Sequence, residues 1–324
     1  MRYQRFAIAL LIPASLYCGA AGAQTGDYPV KQFRLVVPYA AGGIADVLSR
    51  ILAQPLSAAS GRQVIVDNRP GSGGHVGAAN VVASPADGGT LMLATIAHNA
   101  AYSMYSRLAY DPARDIKPVI LVAESAGVLV VHPSLPVRSL KEFLALARSR
   151  PGALAYGSAG HGSALHMAAE LFKFTAKVDL VHVPYKGSAP AMTALISGET
   201  QLTFENIVTA LPYVKSARLR PLGVTGPRRN PSLPDVPPIS EVGVPGYESV
   251  PWYTISVASG VPGEIVRKLA ADLDRVIRSP ETQPRWAAIG VMPLGGTAED
   301  AAKRNAVETA RWSKVIKAAG IRVD

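Results

Sequence analysis

From Gln24 onward the chain alternates short β-rich runs with longer helical patterns, and this rhythm confines it to an α/β fold. Strands are predicted at 33–37, 63–67, 90–95, 118–122, 128–132, 154–157, 180–184, 201–204, 219–225 and 253–258, in mostly parallel sheets. Helices fall between most of them. At 44–56, Val47, Leu48, Ile51 and Leu52 stand at helical spacing; 140–148 and 264–277 repeat the pattern, and 298–319 is a long amphipathic helix with charge on its open face. From Pro227 to Pro251 the rhythm stops. Pro231, Pro234, Pro237, Pro238, Pro245 and Gly246 restrict φ and remove ladder donors, which predicts an extended connector over the surface. Read as a crossing between lobes, it divides the chain into a first lobe of residues 24–123 and 249–324 and a second lobe of 124–248.

The amino end has the form of a secretory signal. Arg2 and Arg5 precede an apolar run from Phe6 to Tyr17, too short for a permanent anchor, and Ala21-Gly22-Ala23 suits signal peptidase. Residues 1–23 are therefore read as a signal peptide cleaved after Ala23, and the protein as periplasmic. Cys18, the only cysteine, lies in that segment behind Tyr17, which argues against lipidation. A mature chain without thiols has no disulfide and must fold on its core; 48% hydrophobic composition suffices for that.

The formal net charge is +10, and loss of Arg2 and Arg5 leaves 31 basic against 23 acidic residues, or +8. The basic residues are scattered rather than clustered with aromatics, so the balance points to a small anion and not to nucleic acid. No internal repeat or low-complexity tract is present.

Glycine marks three strand-to-helix junctions. In Pro38-Tyr39-Ala40-Ala41-Gly42-Gly43-Ile44-Ala45-Asp46 the paired glycines leave backbone N–H groups bare at the positive end of a helix, a seat for a carboxylate or phosphate oxygen. Tyr156-Gly157-Ser158-Ala159-Gly160-His161-Gly162-Ser163 repeats the device with hydroxyls, where Ser158 and Ser163 serve either as ligand donors or as helix caps. Seats in two lobes would face each other across a cleft and grip a ligand with two carboxylates from both sides. The third, Asn68 to Gly77, misses the dinucleotide spacing because Val76 stands where a glycine is required, and it is read as a structural turn.

Enzyme patterns fail similar tests. Tyr156 breaks the G-x-S-x-G elbow at Ser158, and H-E-x-x-H is absent. His161 and His166 are five apart, whereas His166 and Glu170 share a helix face; a structural histidine fits that pair better than a metal ligand. No catalytic residue, metal site or cofactor is expected.

The chain resembles the Bug family, the extracytoplasmic solute receptors of tripartite tricarboxylate transporters. The likeness is carried by Tyr28-Pro29-Val30-Lys31, Val37-Pro38-Tyr39-Ala40-Ala41-Gly42-Gly43 with Asp46, and Asn68-Arg69-Pro70-Gly71-Ser72-Gly73-Gly74. It continues in Tyr110-Asp111-Pro112, Tyr156-Gly157-Ser158, Val183-Pro184-Tyr185-Lys186-Gly187 with Ala189-Pro190, and Leu233-Pro234-Asp235-Val236-Pro237. The resemblance implies a type II periplasmic-binding-protein fold, two α/β lobes with a ligand cleft at a hinge. It implies ligand contacts from Tyr39, Ala41, Gly42, Gly43 and Asp46 in the first lobe, and from Ser158, Gly160, His161, Gly162 and Ser163 in the second. His98 and Glu205 are further candidates for the cleft lining. The implied partners are a small carboxylate and membrane permease subunits, with a monomeric receptor. A sensor signalling to a membrane histidine kinase, or a hydrolase using Ser158 or His161 with His166, are the competing readings. The family often has Ser or Thr where Ala45 stands and Phe-Asp where Phe204-Glu205 stands. His161 takes a loop position that is often Asn, and it is read as a donor charging near neutral pH.

Overall fold

A computed structural model of the chain describes residues 28–323. The signal segment, its cleavage point after Ala23 and Cys18 lie outside the described residues.

Two sheets carry the fold. The first contains β1 (Gln32–Val37), β2 (Gln63–Asn68), β3 (Thr90–Ala94), β4 (Ile116–Glu124), β10 (Trp252–Ala258) and β11 (Met292–Gly295), in the order β11-β4-β10-β3-β1-β2. The second contains β5 (Gly127–Val131), β6 (Ala155–Ser158), β7 (Val181–Pro184), β8 (Leu202–Asn206) and β9 (Arg220–Val224), in the order β7-β6-β8-β5-β9. The two orders are equivalent. In each sheet one strand arriving from the other lobe, β10 or β5, is inserted beside the third strand and runs antiparallel to both neighbours. This is the type II periplasmic-binding arrangement.

The sheets are mixed, which corrects the expectation of mostly parallel pairing: four described pairings are parallel and five antiparallel. The inserted strands account for four of the antiparallel pairings and β11 for the fifth. β11 was not anticipated, because a four-residue run with Pro293 and Gly295 lacks the strand pattern; it pairs only with β4 at the sheet edge, where proline is tolerated.

Both faces of each sheet are covered, which is why the strands read as unbroken apolar runs. On β1, Leu35 and Val37 face the main core while Val36 faces a smaller one with Ala78, Val81 and Met92. On β5, Leu129 and Val131 join the main core and Val128 and Val130 pack with Met192, Leu195 and Ile207.

The chain passes between sheets twice, and the crossings lie side by side. Ser125 N–H donates to Pro251 O at 3.1 Å, Ser249 N–H to Thr225 O at 2.9 Å, and Thr225 Oγ1 to Ser249 O at 2.6 Å. The Pro227–Pro251 segment is not the extended surface connector its prolines predict. It folds as successive turns, bridges β9 through Val224 and Pro238, and buries Ile239, Val244 and Tyr247, whose side chains complete the core. No helix among the described residues is long and apolar enough to cross a membrane.

Candidate functional site

Besides the single turn Ile96–Asn99 after β3, four helices start at the carboxyl ends of strands, where the fold leaves a crevice. They are Ile44–Ser60 after β1, Ala164–Ala176 after β6, Ser188–Ser197 after β7 and Ile207–Lys215 after β8. Their first residues converge on one cavity between the lobes: Gly43, Ile44 and Ala45 from the first lobe, and Ser163, Ala164, Leu165, Ser188 and Asn206 from the second. Tyr39, Thr95, Ala159 and Tyr253 complete the wall.

No charged side chain lines this cavity. Its donors are first-turn N–H groups left without an intrahelical partner, although Ile207 N–H is taken by Ala126 O at 3.3 Å and Pro190 has none. Only the helix at Ala164 has a side-chain cap, with Ser163 accepting from His166 N–H; the other three begin at Gly43, Gly187 and Asn206 without one. Several hydroxyls are already engaged. Tyr39 Oη donates to Gly73 O at 3.0 Å and meets Thr95 Oγ1 at 2.9 Å, and Ser188 Oγ donates to Glu205 Oε1 at 2.7 Å. Burial drives the Tyr39 phenol upward, so it remains a neutral donor. An apolar channel closed by uncapped helix ends stabilises an anion by oriented dipoles rather than by a counter-charge.

The lobes are in contact around the cavity. Ala40 N–H donates to Lys186 O at 3.0 Å, Tyr105 Oη to His161 O at 2.6 Å, and Tyr253 Oη to Asn206 Oδ1 at 3.0 Å. The free space is about 30 Å³, room for a water or two. A larger solute therefore enters only when the lobes part. The third glycine turn, read as purely structural, takes part in this closure: Gly73 sits against the second loop so closely that a Cβ there would lie 1.8 Å from His161 O.

Of the residues singled out from sequence, Tyr39, Gly43 and Ser163 line the cavity. Ala41 and Gly42 are exposed, outside its wall. Asp46 is buried behind the first loop, where Oδ2 accepts from Gly42 N–H and Arg50 Nε, each at 3.0 Å. Burial by itself would raise its pKa, but the bonds from Arg50, Gly42 N–H and Asn68 outweigh that and hold the carboxyl below its usual range. Ser158 is also buried behind its loop: Oγ accepts from Gly160 N–H at 3.1 Å and meets His182 Nε2 at 2.6 Å. A hydroxyl enclosed in this way reaches no scissile bond.

His161 and Gly162 stand away from the central cavity. His161 borders an outer groove with Ser72, His75 and Tyr105, and burial lowers its pKa, which favours the neutral ring rather than the expected charged one. His98 lies behind Thr95, whose N–H donates to Nδ1 at 3.2 Å, and faces a different hollow beside Pro112 and Asn305. Glu205 is fully buried; Oε1 accepts from Ser188 Oγ, Asn206 N–H and Thr209 Oγ1, while burial raises its pKa against those bonds. Sequence reasoning missed Thr95, Ser188, Asn206 and Tyr253. Their signal is position: Thr95, Ser188 and Asn206 stand where strands give way to helices.

The family described as "Tripartite tricarboxylate transporter family receptor" (TctC) matches residues 48–321. The chain belongs to this receptor family. A TctC relative, protein BugT of Bordetella pertussis, is 31% identical over 306 residues, 94% of each chain. The solved structure of R. palustris Rpa4515 with adipate aligns at TM-score 0.87 and 40% identity, covering 91% of this chain and 99% of that one. MatC (Rpa3494) from Rhodopseudomonas palustris with bound malate aligns at TM-score 0.85 and 29% identity, covering 89% and 100%. TctC proteins of this kind are solute-binding receptors, not enzymes.

Proposed function

We propose that this receptor works in the periplasm, closing its two lobes, 24–123 with 249–324 and 124–248, on an aliphatic dicarboxylate and presenting the closed form to the membrane permease of a tripartite transporter. The observation that carries the reading is the convergence of four helix amino termini, three of them uncapped, on a cavity without charged side chains. Donors come from both lobes, so two carboxylates at opposite ends of one solute would draw the lobes together. Ile44, Ala45, Ala159, Ala164 and Leu165 provide apolar surface for the methylenes between them. The adipate and malate held by the two solved relatives have this chemistry.

An amino acid is a poorer fit. Neither Asp46 nor Glu205 lines the cavity, and each already accepts several hydrogen bonds. The paired crossings at Ser125 and Ser249 are the proposed hinge, since among the described residues they alone join the sheets covalently.

Titration calorimetry against a series of aliphatic dicarboxylates, the matching monocarboxylates and glutamate tests this function. Saturable binding of at least one dicarboxylate, tighter than its monocarboxylate and than glutamate, is expected. Absence of saturable binding across the series, or preference for glutamate over glutarate, overturns the reading.

A further inference from the structure

Three histidines from three different elements meet beside the second glycine loop: His161 in the loop, His166 in the helix Ala164–Ala176 and His182 in β7. One nitrogen from each lies within 4.8 Å of the other two. The ring centroids are 4.1 Å apart for His166 and His182, 4.9 Å for His161 and His182, and 5.6 Å for His161 and His166. The sequence offered no metal spacing here because His182 comes from a distant strand. His166 is buried and the other two are half-buried, and His161 opens onto the outer groove beside Tyr105, which supplies an entry path.

We infer that His161, His166 and His182 bind one borderline divalent transition ion, of the Zn²⁺ class, at a site separate from the carboxylate cavity. Three imidazoles plus water make a four-coordinate shell of the type such ions take. Metal–nitrogen bonds of about 2.0–2.1 Å require the nitrogens to draw in by about an ångström, a movement open to His161 on its half-exposed loop.

The surroundings are those of a metal site's outer shell. His182 Nε2 is held at 2.6 Å by Ser158 Oγ, which fixes the ring and leaves Nδ1 as the ligand atom. Tyr156 stacks on His182 with centroids 4.9 Å apart, and its hydroxyl donates to Glu170 Oε1 at 2.6 Å. Lys173 pairs with the same carboxylate at 2.8 Å, so Glu170 is committed to the floor of the cluster and not to the ion.

His166 ties the ion to the loop. Gly162 N–H donates to His166 Nδ1 at 3.1 Å. A metal on Nδ1 takes that lone pair, and a metal on Nε2 requires hydrogen on Nδ1. Either way the bond breaks and Gly162 is released. Because His161 O accepts from Tyr105 Oη across the cleft, metal occupancy and lobe closure are linked, and such linkage acts in both directions.

The test uses the untagged chain, stripped with chelator and titrated with ZnCl₂ by calorimetry at neutral pH without carboxylate, so that it is independent of the solute reading. One equivalent is expected to bind. His161→Ala and His182→Ala should each weaken it at least ~10-fold, while His132→Ala, at the end of β5 beside Ser134, should leave it unchanged. Circular dichroism of each variant confirms folding, and Co²⁺ gives a second readout: tetrahedral visible absorption in the parent chain that His161→Ala abolishes. Failure of the parent to take up one equivalent, or uptake undiminished in both His161→Ala and His182→Ala, overturns the inference.

Discussion

In the first lobe, the glycine loop is braced by a carboxylate: Asp46 reaches back to Gly42 N–H and is held by Arg50, and the helix starts bare at Gly43. In the second lobe, the matching loop is braced by hydroxyls and imidazoles, with Ser163 filling the cap, Ser158 holding Gly160 N–H and His166 holding Gly162 N–H. The positions in the fold are equivalent, yet only the first loop leaves its helix uncapped. The second lobe has its helix starts without a side-chain cap elsewhere, at Gly187 and Asn206, although at the latter Ile207 N–H is taken by Ala126 O. A glycine-rich loop is thus a way to bring backbone close, and a helix start without a side-chain cap keeps donors that an anion can use.

Closure tests this asymmetry most severely. Gly73 has φ +62°, and a Cβ there would lie 1.8 Å from the His161 carbonyl oxygen in the opposite lobe. The left-handed backbone alone costs an alanine about 1 kcal/mol, but the main-chain clash forbids the closed form. Gly73→Ala is expected to lower dicarboxylate affinity at least ~100-fold, about 3 kcal/mol, with only a small fall in Tm because the parted lobes relieve the clash. An unchanged Kd would show that the lobes grip the solute without this contact.

Gly43→Ala asks whether the solute lies against the first-lobe helix start, since alanine leaves the cap bare and adds only a methyl group. Its φ of −85° suits any residue, and the new methyl would stand 3.3 Å from Ser188 Cβ across the cavity. A fall in affinity of ~10-fold, near 1.4 kcal/mol, is expected from calorimetry, with a smaller loss of stability, below ~1 kcal/mol, because alanine is a poorer N-cap than glycine. The matching change in the capped loop, Ser163→Ala, should act mainly on stability, by about 1 kcal/mol. If the two variants exchange these signatures, the assignment of the anion seat is reversed.

The same contrast explains what could be read from the chain. Strands such as β1 and β5, helices at Ile44–Ser60 and Ala298–Ala319, and the two glycine-rich strand-to-helix turns follow from local patterns, because apolar period and glycine placement are written in neighbouring residues. β11 and the turns of Pro227–Pro251 owe their form to pairing with β4 and β9, partners far away in sequence. Ser188, Asn206 and Tyr253 reach the cavity only because the sheets are mixed and the lobes closed. Asp46 and Glu205 illustrate the remaining gap: a carboxylate near a ligand loop reads as a contact, but burial and three-dimensional donors turn each into a brace.

Asp46→Asn removes the charge from the first brace while keeping its shape. A loss of about 1 kcal/mol in denaturant unfolding is expected, with affinity reduced less than in Gly43→Ala. Because the folded Asp46 pKa is depressed, its contribution is present above the ordinary value of 3.8 and disappears as pH falls through the folded value. Parent and variant should therefore converge in acid. A gap that persists at the lowest pH would assign the effect to packing.

Glu205 gives the smallest effect and the opposite sign. Its folded pKa is raised above 4.5 by burial, so the native state holds its proton longer than the unfolded chain. Stability from this group is complete below pH 4.5 and declines as pH rises through the folded value. Glu205→Gln mimics the protonated acid and keeps an acceptor oxygen for Ser188, Asn206 N–H and Thr209. The variant should match the parent near pH 4 and exceed it increasingly toward pH 8, as read from Tm across buffers. Glu205 Oε2 and Asn206 Nδ2 are both buried without a hydrogen-bond partner, and Asn206 lines the cavity. A stability difference that grows toward acid instead would mean that Glu205 is ionised in the folded receptor, placing a negative charge directly behind the second-lobe seat and opposing the anion that the uncapped helices attract.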